Sequence, residues 1–457
     1  MRREKIVGLL AVTAVCLFAG CSGSVETGPV PTITPRPTVT PAPTLPPTAA
    51  ATPTPAVEES VYDTKLFKEY YERENELPQL KVAFEDSFTI GLDALQIDVT
   101  DAKRAEIVKA QYDNISVKED LSPNVLMDYE ASAASGDKTR IALDFSGADV
   151  ILKFAQENNI PVRGPRLITN ETPAWAFTRD FSEAQVTVTE EEALVKTTTI
   201  EYASADVIRA RMENYIKDVI TYCNTNYPGV VVSWDVLDDV ILTSGTHELG
   251  YRDSFWQQGI GDEYLVEACR FAKQYATEEQ KLFLTQDALD ESAARNAALA
   301  LIDILKAENL IDGVAVQAHY NPNGPNVFAI EDMFKALAAT GLEIHVTEFY
   351  VDSNEGTVGD EDMTKEELLT RVTKRYKNLM STFLNMEKKS YDIVNITFEG
   401  LTDDTSSLNQ PKEYIDVVSG EVLFGVKLES YPYLFDKDLN VKESFFATIG
   451  DTTIKGY

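Results

Sequence analysis

Two apolar, strand-like runs each end on acidic side chains. One reads Trp234-Asp235-Val236-Leu237-Asp238-Asp239 and the other Val346-Thr347-Glu348-Phe349. Helical and strand patterns alternate over the long stretch between them, so the acids converge only if a barrel or sheet gathers the strand ends. Ala148–Ala155 and Val207–Ile216 carry helical periodicity, and further helix-like runs follow Tyr264, Ser292 and Glu366. Pro228-Gly229 makes a turn into Val230-Val231-Val232, an all-apolar run of the buried parallel kind. In the run from Gly313, the residues Gly313, Ala315, Gln317 and His319 share one face while Val314, Val316 and Ala318 share the other. Small and polar residues facing inward with aliphatics outward fits a barrel covered by helices. The expected fold is therefore an α/β (β/α)8 barrel with loop insertions, whose active site lies at the C-terminal strand ends. Paired carboxyls there suit glycoside hydrolysis, which needs one to protonate the leaving oxygen and one to attack the sugar or activate water.

Three segments are expected. Residues 1–20 have a basic start at Arg2, Arg3 and Lys5, a short apolar run Ile6–Gly20, and small residues before Cys21. That pattern resembles a bacterial lipoprotein signal, with Phe18 where Leu is usual, and it makes Cys21 the lipidation site. Residues 21–58 are Pro- and Thr-rich and cannot bury a core. A polyproline spacer of that length reaches up to ~100 Å. Residues 59–457 form the barrel, and no later run approaches the ~20 apolar residues of a membrane span. The expected location is the outer face of a bacterial membrane, held by lipid alone.

A net charge of −33 makes nucleic acid an unfavourable partner. Cys223 and Cys269 fall in helix-like stretches, where two buried free thiols are the default and pairing is not readable from sequence. No cofactor and no metal site are expected from cysteine or histidine spacing, and the chain is expected to be a monomer.

The ordered motifs resemble glycoside hydrolase family 10, the endo-1,4-β-xylanase type. Those motifs include Phe88-Thr89-Ile90-Gly91, Tyr112-Asp113-Asn114-Ile115-Ser116, Val162-Arg163-Gly164, Thr172-Pro173-Ala174-Trp175, Gln317-Ala318-His319, Ile396-Thr397-Phe398 and Tyr431-Pro432-Tyr433. The resemblance implies a retaining β-glycan hydrolase acting on a chain such as xylan. It makes Glu348 the nucleophile, Asp239 the acid/base and His319 the residue that orients the nucleophile. Asp238, Gln317 and Trp175 would touch substrate.

The family's acid/base strand reads Trp-Asp-Val-Val-Asn-Glu, so Asp239 stands for Glu and Asp238 for Asn. Asp is shorter by about 1.5 Å, which would stretch the ~5–5.5 Å carboxyl gap of a retaining pair. Asp238 loses an amide donor, and as a nearby carboxylate it would help keep Asp239 protonated. Lys118-Glu119-Asp120-Leu121-Ser122 replaces Glu-Asn-Glu-Met-Lys, Pro165–Asn170 replaces His-Thr-Leu-Val-Trp-His, and Glu399 and Ser407 stand where the family has tryptophans. With the sugar clasp so altered, a non-catalytic glycan-binding lipoprotein on the same barrel is the alternative. More distant readings are a two-lobed solute-binding lipoprotein and a metal site built from Asp238, Asp239, His319 and Glu348. His345, three residues from Glu348, is expected on the opposite strand face, in packing.

Overall fold

The computed structural model describes residues 77–190, 196–245, 247–353, 363–409, 413–415, 422–424 and 430–450. The expected signal and lipidation site at Cys21 and the Pro/Thr-rich segment lie outside them. Ten strands concern the site. They are β1 (Thr89–Asp93), β2 (Asn114–Ser116), β3 (Val162–Ile168), the pair β4 (Val186–Glu190) and β5 (Lys196–Ile200), β6 (Val231–Asp238), β7 (Lys281–Gln286), β8 (Gly313–Tyr320), β9 (Glu343–Val351) and β10 (Ile393–Phe398). Eight of them close a parallel barrel in the order β1-β10-β9-β8-β7-β6-β3-β2. β4 and β5 form a separate antiparallel hairpin inserted after β3, which the sequence reading did not foresee.

Each barrel strand is followed by a covering helix: α1 (Ala102–Gln111), α2 (Ala148–Asn158), α3 (Ala205–Asn226), α4 (Tyr264–Tyr275), α5 (Ser292–Ala307), α6 (Val327–Ala338), α7 (Lys365–Glu387) and α8 (Glu443–Ile449). The periodic runs noted above fall inside α2, α3, α4, α5 and α7. In α4, Tyr264, Leu265, Ala268, Cys269 and Ala272 are the buried residues, a stripe at helical spacing laid on the sheet. Three of these helices have side-chain caps, Asn326 accepting from the Ala329 amide at the start of α6. Asp101 accepts from the Lys103 and Arg104 amides at 3.0 Å, and Thr364 with Glu367 makes a reciprocal capping box on α7. Cys223 and Cys269 are buried and unpaired, as the default reading had it.

The barrel interior is layered. Gly313 faces inward, where an added Cβ would sit 2.1 Å from the Phe283 ring, so a side chain at that position would displace Phe283. The Arg163 guanidinium lies 4.7 Å from the centre of that ring and donates to Asp235 and to His345 Nδ1. β3 and β9 lie diametrically opposite in the closed order, so the Arg163–His345 contact runs through the interior. His345 is thus on the inner side with Glu348, not on the opposite face as strict alternation requires. The cause is a strand irregularity. Against β8, Gln317 pairs with Thr347 but His319 pairs with Tyr350, so β9 carries one extra residue between them. A single added residue flips the facing of everything after it.

The same device recurs on two more strands. β3 gains a residue between Gly164 and Arg166 against β6, and β6 gains one between Asp235 and Leu237 against β7. Arg163 and Arg166, Asp235 and Asp238, and His345 and Glu348 can therefore all face inward although each pair is three residues apart. The first of each pair lies in a lower layer and the second at the C-terminal rim.

Candidate active site

The rim acids sit where the strands leave regular geometry. Glu348 has φ 52° and Asp239 φ 51°, left-handed backbone that non-glycine residues rarely adopt. Asp239 follows directly on β6, and Glu348 lies within β9 at its bulge, three residues before the strand ends.

Glu348 is only 6% exposed. His319 Nε2 donates to its Oε2 at 2.9 Å, and the His319 ring stacks on Tyr350 with centres 5.1 Å apart. The ring therefore holds one Glu348 oxygen in place and is itself held by Tyr350. Gln317 Nε2 donates to Asp238 Oδ1 at 2.9 Å and lies 3.3 Å from Glu348 Oε1. One amide thus serves two carboxyls, and those two oxygens can be no farther apart than the sum of its two contacts. Asp238 and Glu348 are thus neighbours across one amide, while the acid/base candidate Asp239 is held by other partners. Lys118 Nζ, just past β2, reaches the same Glu348 oxygen as His319, at 2.6 Å. Burial works against ionisation of Glu348, yet Lys118, His319 and Arg166 hold it well below the usual carboxylate range.

Asp238 is 1% exposed and accepts from Arg166 Nη1 at 3.1 Å as well as from Gln317. Burial pushes its carboxyl up to about 8 against the pull of Arg166, with the charge of Glu348 adding to the rise. Asp239 is turned outward from this pair. Its Oδ1 accepts from Gln286 Nε2 at 2.9 Å, its Oδ2 is paired with Arg252 Nη2, and Arg252 Nε donates to its backbone oxygen at 2.6 Å. Burial again raises its pKa, opposed by Arg252 and helped by Asp287 and Glu348. The two neighbouring carboxyls, Asp238 and Asp239, are both raised by burial, with Asp239 adding to the rise of Asp238 and Asp287 to that of Asp239. His319 is held charged by Glu348 and Asp287, which outweigh its burial. His345 below is held neutral by burial and Arg163.

Trp175 does not join these residues as a sugar platform. It is 8% exposed, with Tyr129 edge-on at 5.3 Å and Phe181 edge-on at 5.9 Å. All three tryptophans of the chain, Trp175, Trp234 and Trp256, are buried, so none offers an open ring face. Among the described residues no group of histidines, cysteines and acids is arranged to hold a metal ion. Asp239 is committed to Arg252 and Glu348 to Lys118, and the barrel itself sets aside the two-lobed reading.

Lys118, Arg166 and Arg252 carry much of the site's electrostatics, and the sequence reading passed over all three as functional residues. Their signal was positional. Lys118 and Arg166 lie at the C-terminal ends of β2 and β3, where the fold puts its chemistry, and Arg252 lies on the excursion that follows β6.

An eight-stranded parallel barrel with buried, histidine-oriented carboxyls at its C-terminal rim has the form of a barrel glycosidase. A family model described as Glycosyl hydrolase family 10 matches residues 79–450, and the chain belongs to that family. Among its relatives, endo-1,4-beta-xylanase B of Butyrivibrio fibrisolvens is 27% identical over 81% of this chain and 52% of its own length. This chain therefore spans about half of that protein. A putative endo-1,4-beta-xylanase of Caldicellulosiruptor saccharolyticus is 30% identical over 70% of this chain and 94% of its own length. The crystal structure of xylanase B from Clostridium stercorarium F9 superposes with a TM-score of 0.65 at 26% identity, covering 82% of this chain and 99% of that one.

Proposed function

We propose that this chain is a xylanase-like glycoside hydrolase that cleaves a β-1,4-linked glycan of the xylan type with retention. The observation that carries the reading is Glu348: a buried carboxylate, kept ionised, with His319 fixing one oxygen at 2.9 Å. A nucleophile must be ionised and aimed before the sugar arrives. Asp239, at the rim and raised by burial, supplies the proton to the leaving oxygen once Arg252 releases it. Xylanase relatives over most of the chain support the substrate class. We place the protein on the outer membrane face through lipid on Cys21, with the Pro/Thr-rich segment as spacer. Membrane fractionation tests this, since Cys21→Ala should leave the protein unprocessed or release it.

One pair of contacts favours the second reading, a non-catalytic glycan-binding member. Lys118 occupies the nucleophile's oxygen and Arg252 occupies the acid's. Incubation with xylan and xylo-oligosaccharides, scoring cleavage and binding separately, decides between the two. Cleavage lost in Glu348→Gln with binding retained supports the hydrolase. Saturable binding without cleavage, in wild type and in Asp239→Glu alike, supports the binding protein.

A further inference from the structure

The floor of the site is nearly full. A cavity bounded by Asp93, Ser116, Lys118, Arg166, Thr347 and Glu348 has about 10 Å³ of space, room for roughly one water and not for a sugar ring. Beside it lies a second cavity of about 190 Å³, lined by Asp93, Leu95, Lys118, Glu119, Glu399 and Tyr433. Lys118 and Asp93 border both. The Lys118 ammonium sits 2.6 Å from Glu348 Oε2 and 3.7 Å from Glu399 Oε1. Glu399 Oε2 is buried with no hydrogen-bond partner. A second carboxylate thus waits within a small swing of the same side chain, with an oxygen still free to accept.

We propose that Lys118 is a two-position plug: it seats on Glu348 when the site is empty, and a sugar ring enters over Glu348 by sending the ammonium across to Glu399. Lys118 is a positioning residue in this scheme: it contacts the Glu348 carboxylate only in the empty site and has left it once the ligand is seated. The swing exchanges one buried ion pair for another, so neither charge is left alone in either position. It frees Oε2, leaves His319 to orient the carboxylate, and ties the opening of the floor to occupation by the ligand. Ligand affinity then carries the cost of the swing, because a ligand shifts such an equilibrium only by its difference in affinity for the two states. The proposal rests on reading the rim around Glu348 as the place where a glycan binds.

The test is calorimetric binding of sulfur-linked xylotriose, which cannot be hydrolysed, to the full chain and to two variants. Lys118→Ala removes the plug and should bind at least tenfold more tightly. Glu399→Gln removes the receiving charge, holds the plug on Glu348, and should bind several-fold more weakly. A merely structural role for either residue would weaken binding in both variants, so the opposite signs are the signature. If Lys118→Ala fails to fold by circular dichroism, Lys118→Ser replaces it, and the Glu399→Gln arm stands by itself. Equal or weaker affinity in the lysine variant, no binding by any of the proteins, or unchanged affinity in Glu399→Gln overturns the plug. Tighter binding in Lys118→Ala from a wild type that cleaves no xylan would instead sink the hydrolase reading and leave the plug standing.

Discussion

Arg163, Asp235 and His345 inside the barrel, and Lys118, Arg166, Asp238 and Glu348 at its rim, are both clusters of opposite charge withdrawn from water. The lower cluster is tied together by direct contacts, with His345 Nε2 left buried and without a hydrogen-bond partner. Arg163 donates through two nitrogens to Asp235 and stacks on Phe283, and burial with the nearby Arg163 charge holds His345 neutral. The rim is arranged otherwise. Its carboxyls outnumber its cations around Lys118, and Asp93 Oδ2, Glu399 Oε2 and Arg166 Nε are buried without partners. Asp93 is pushed up to about 7 by burial, partly offset by Lys118. An unpaired buried polar atom costs about 1–3 kcal/mol, a cost a ligand's hydroxyls would relieve. The same strands, β3, β6 and β9, therefore build a fixed strut in one layer and an unsatisfied, ligand-ready surface in the next.

The contrast breaks most sharply at Glu348. Glu348→Gln should lower turnover on xylan by roughly 10⁴-fold or more while leaving glycan binding largely intact, read from initial rates and calorimetry. Arg163→Met should do the reverse. It leaves Asp235 buried and unpaired, so the urea midpoint should fall by the equivalent of about 3–5 kcal/mol, with kcat little changed where the protein remains folded. If Arg163→Met abolished turnover in a folded protein, the two layers would not be separable. Asp239→Glu should hold or raise the rate, up to roughly tenfold, by restoring reach toward the scissile oxygen.

The smallest effect concerns pH. Asp238 has its folded pKa raised to about 8, so the folded protein keeps a proton that the unfolded chain has already lost above the ordinary carboxylate range. The stability tied to this group is fully present below the unfolded value and is lost as pH rises through about 8. Asp238→Asn should flatten the part of that decline belonging to Asp238, read as urea midpoints at pH 6 and pH 9, with Asp93 contributing a like slope that persists. An unchanged decline in the variant would show that Asp238 is ionised throughout.

How much was legible follows from which physics each feature uses. Helices α2, α3, α4, α5 and α7 and strand β8 follow from hydrophobic periodicity alone. His345 was misplaced because its facing depends on one inserted residue in β9, and a bulge leaves no periodic trace. The motif at Trp175 was visible, but whether its ring meets sugar or Tyr129 and Phe181 is decided by packing from distant segments. Lys118 was read as a lost sugar contact. Only the closure of the barrel, with β2 three strands from β9, shows that a lysine there reaches the nucleophile. The swap of Asn for Asp238 was legible as a change of residue but not as a change of charge state, which burial and Arg166 set together.

The most direct test of the central claim is proton NMR of the anomeric signals while the wild-type protein acts on xylo-oligosaccharides. The account predicts cleavage whose first-formed reducing ends are β, absent in Glu348→Gln. First-formed α ends, or cleavage that survives Glu348→Gln, would contradict it.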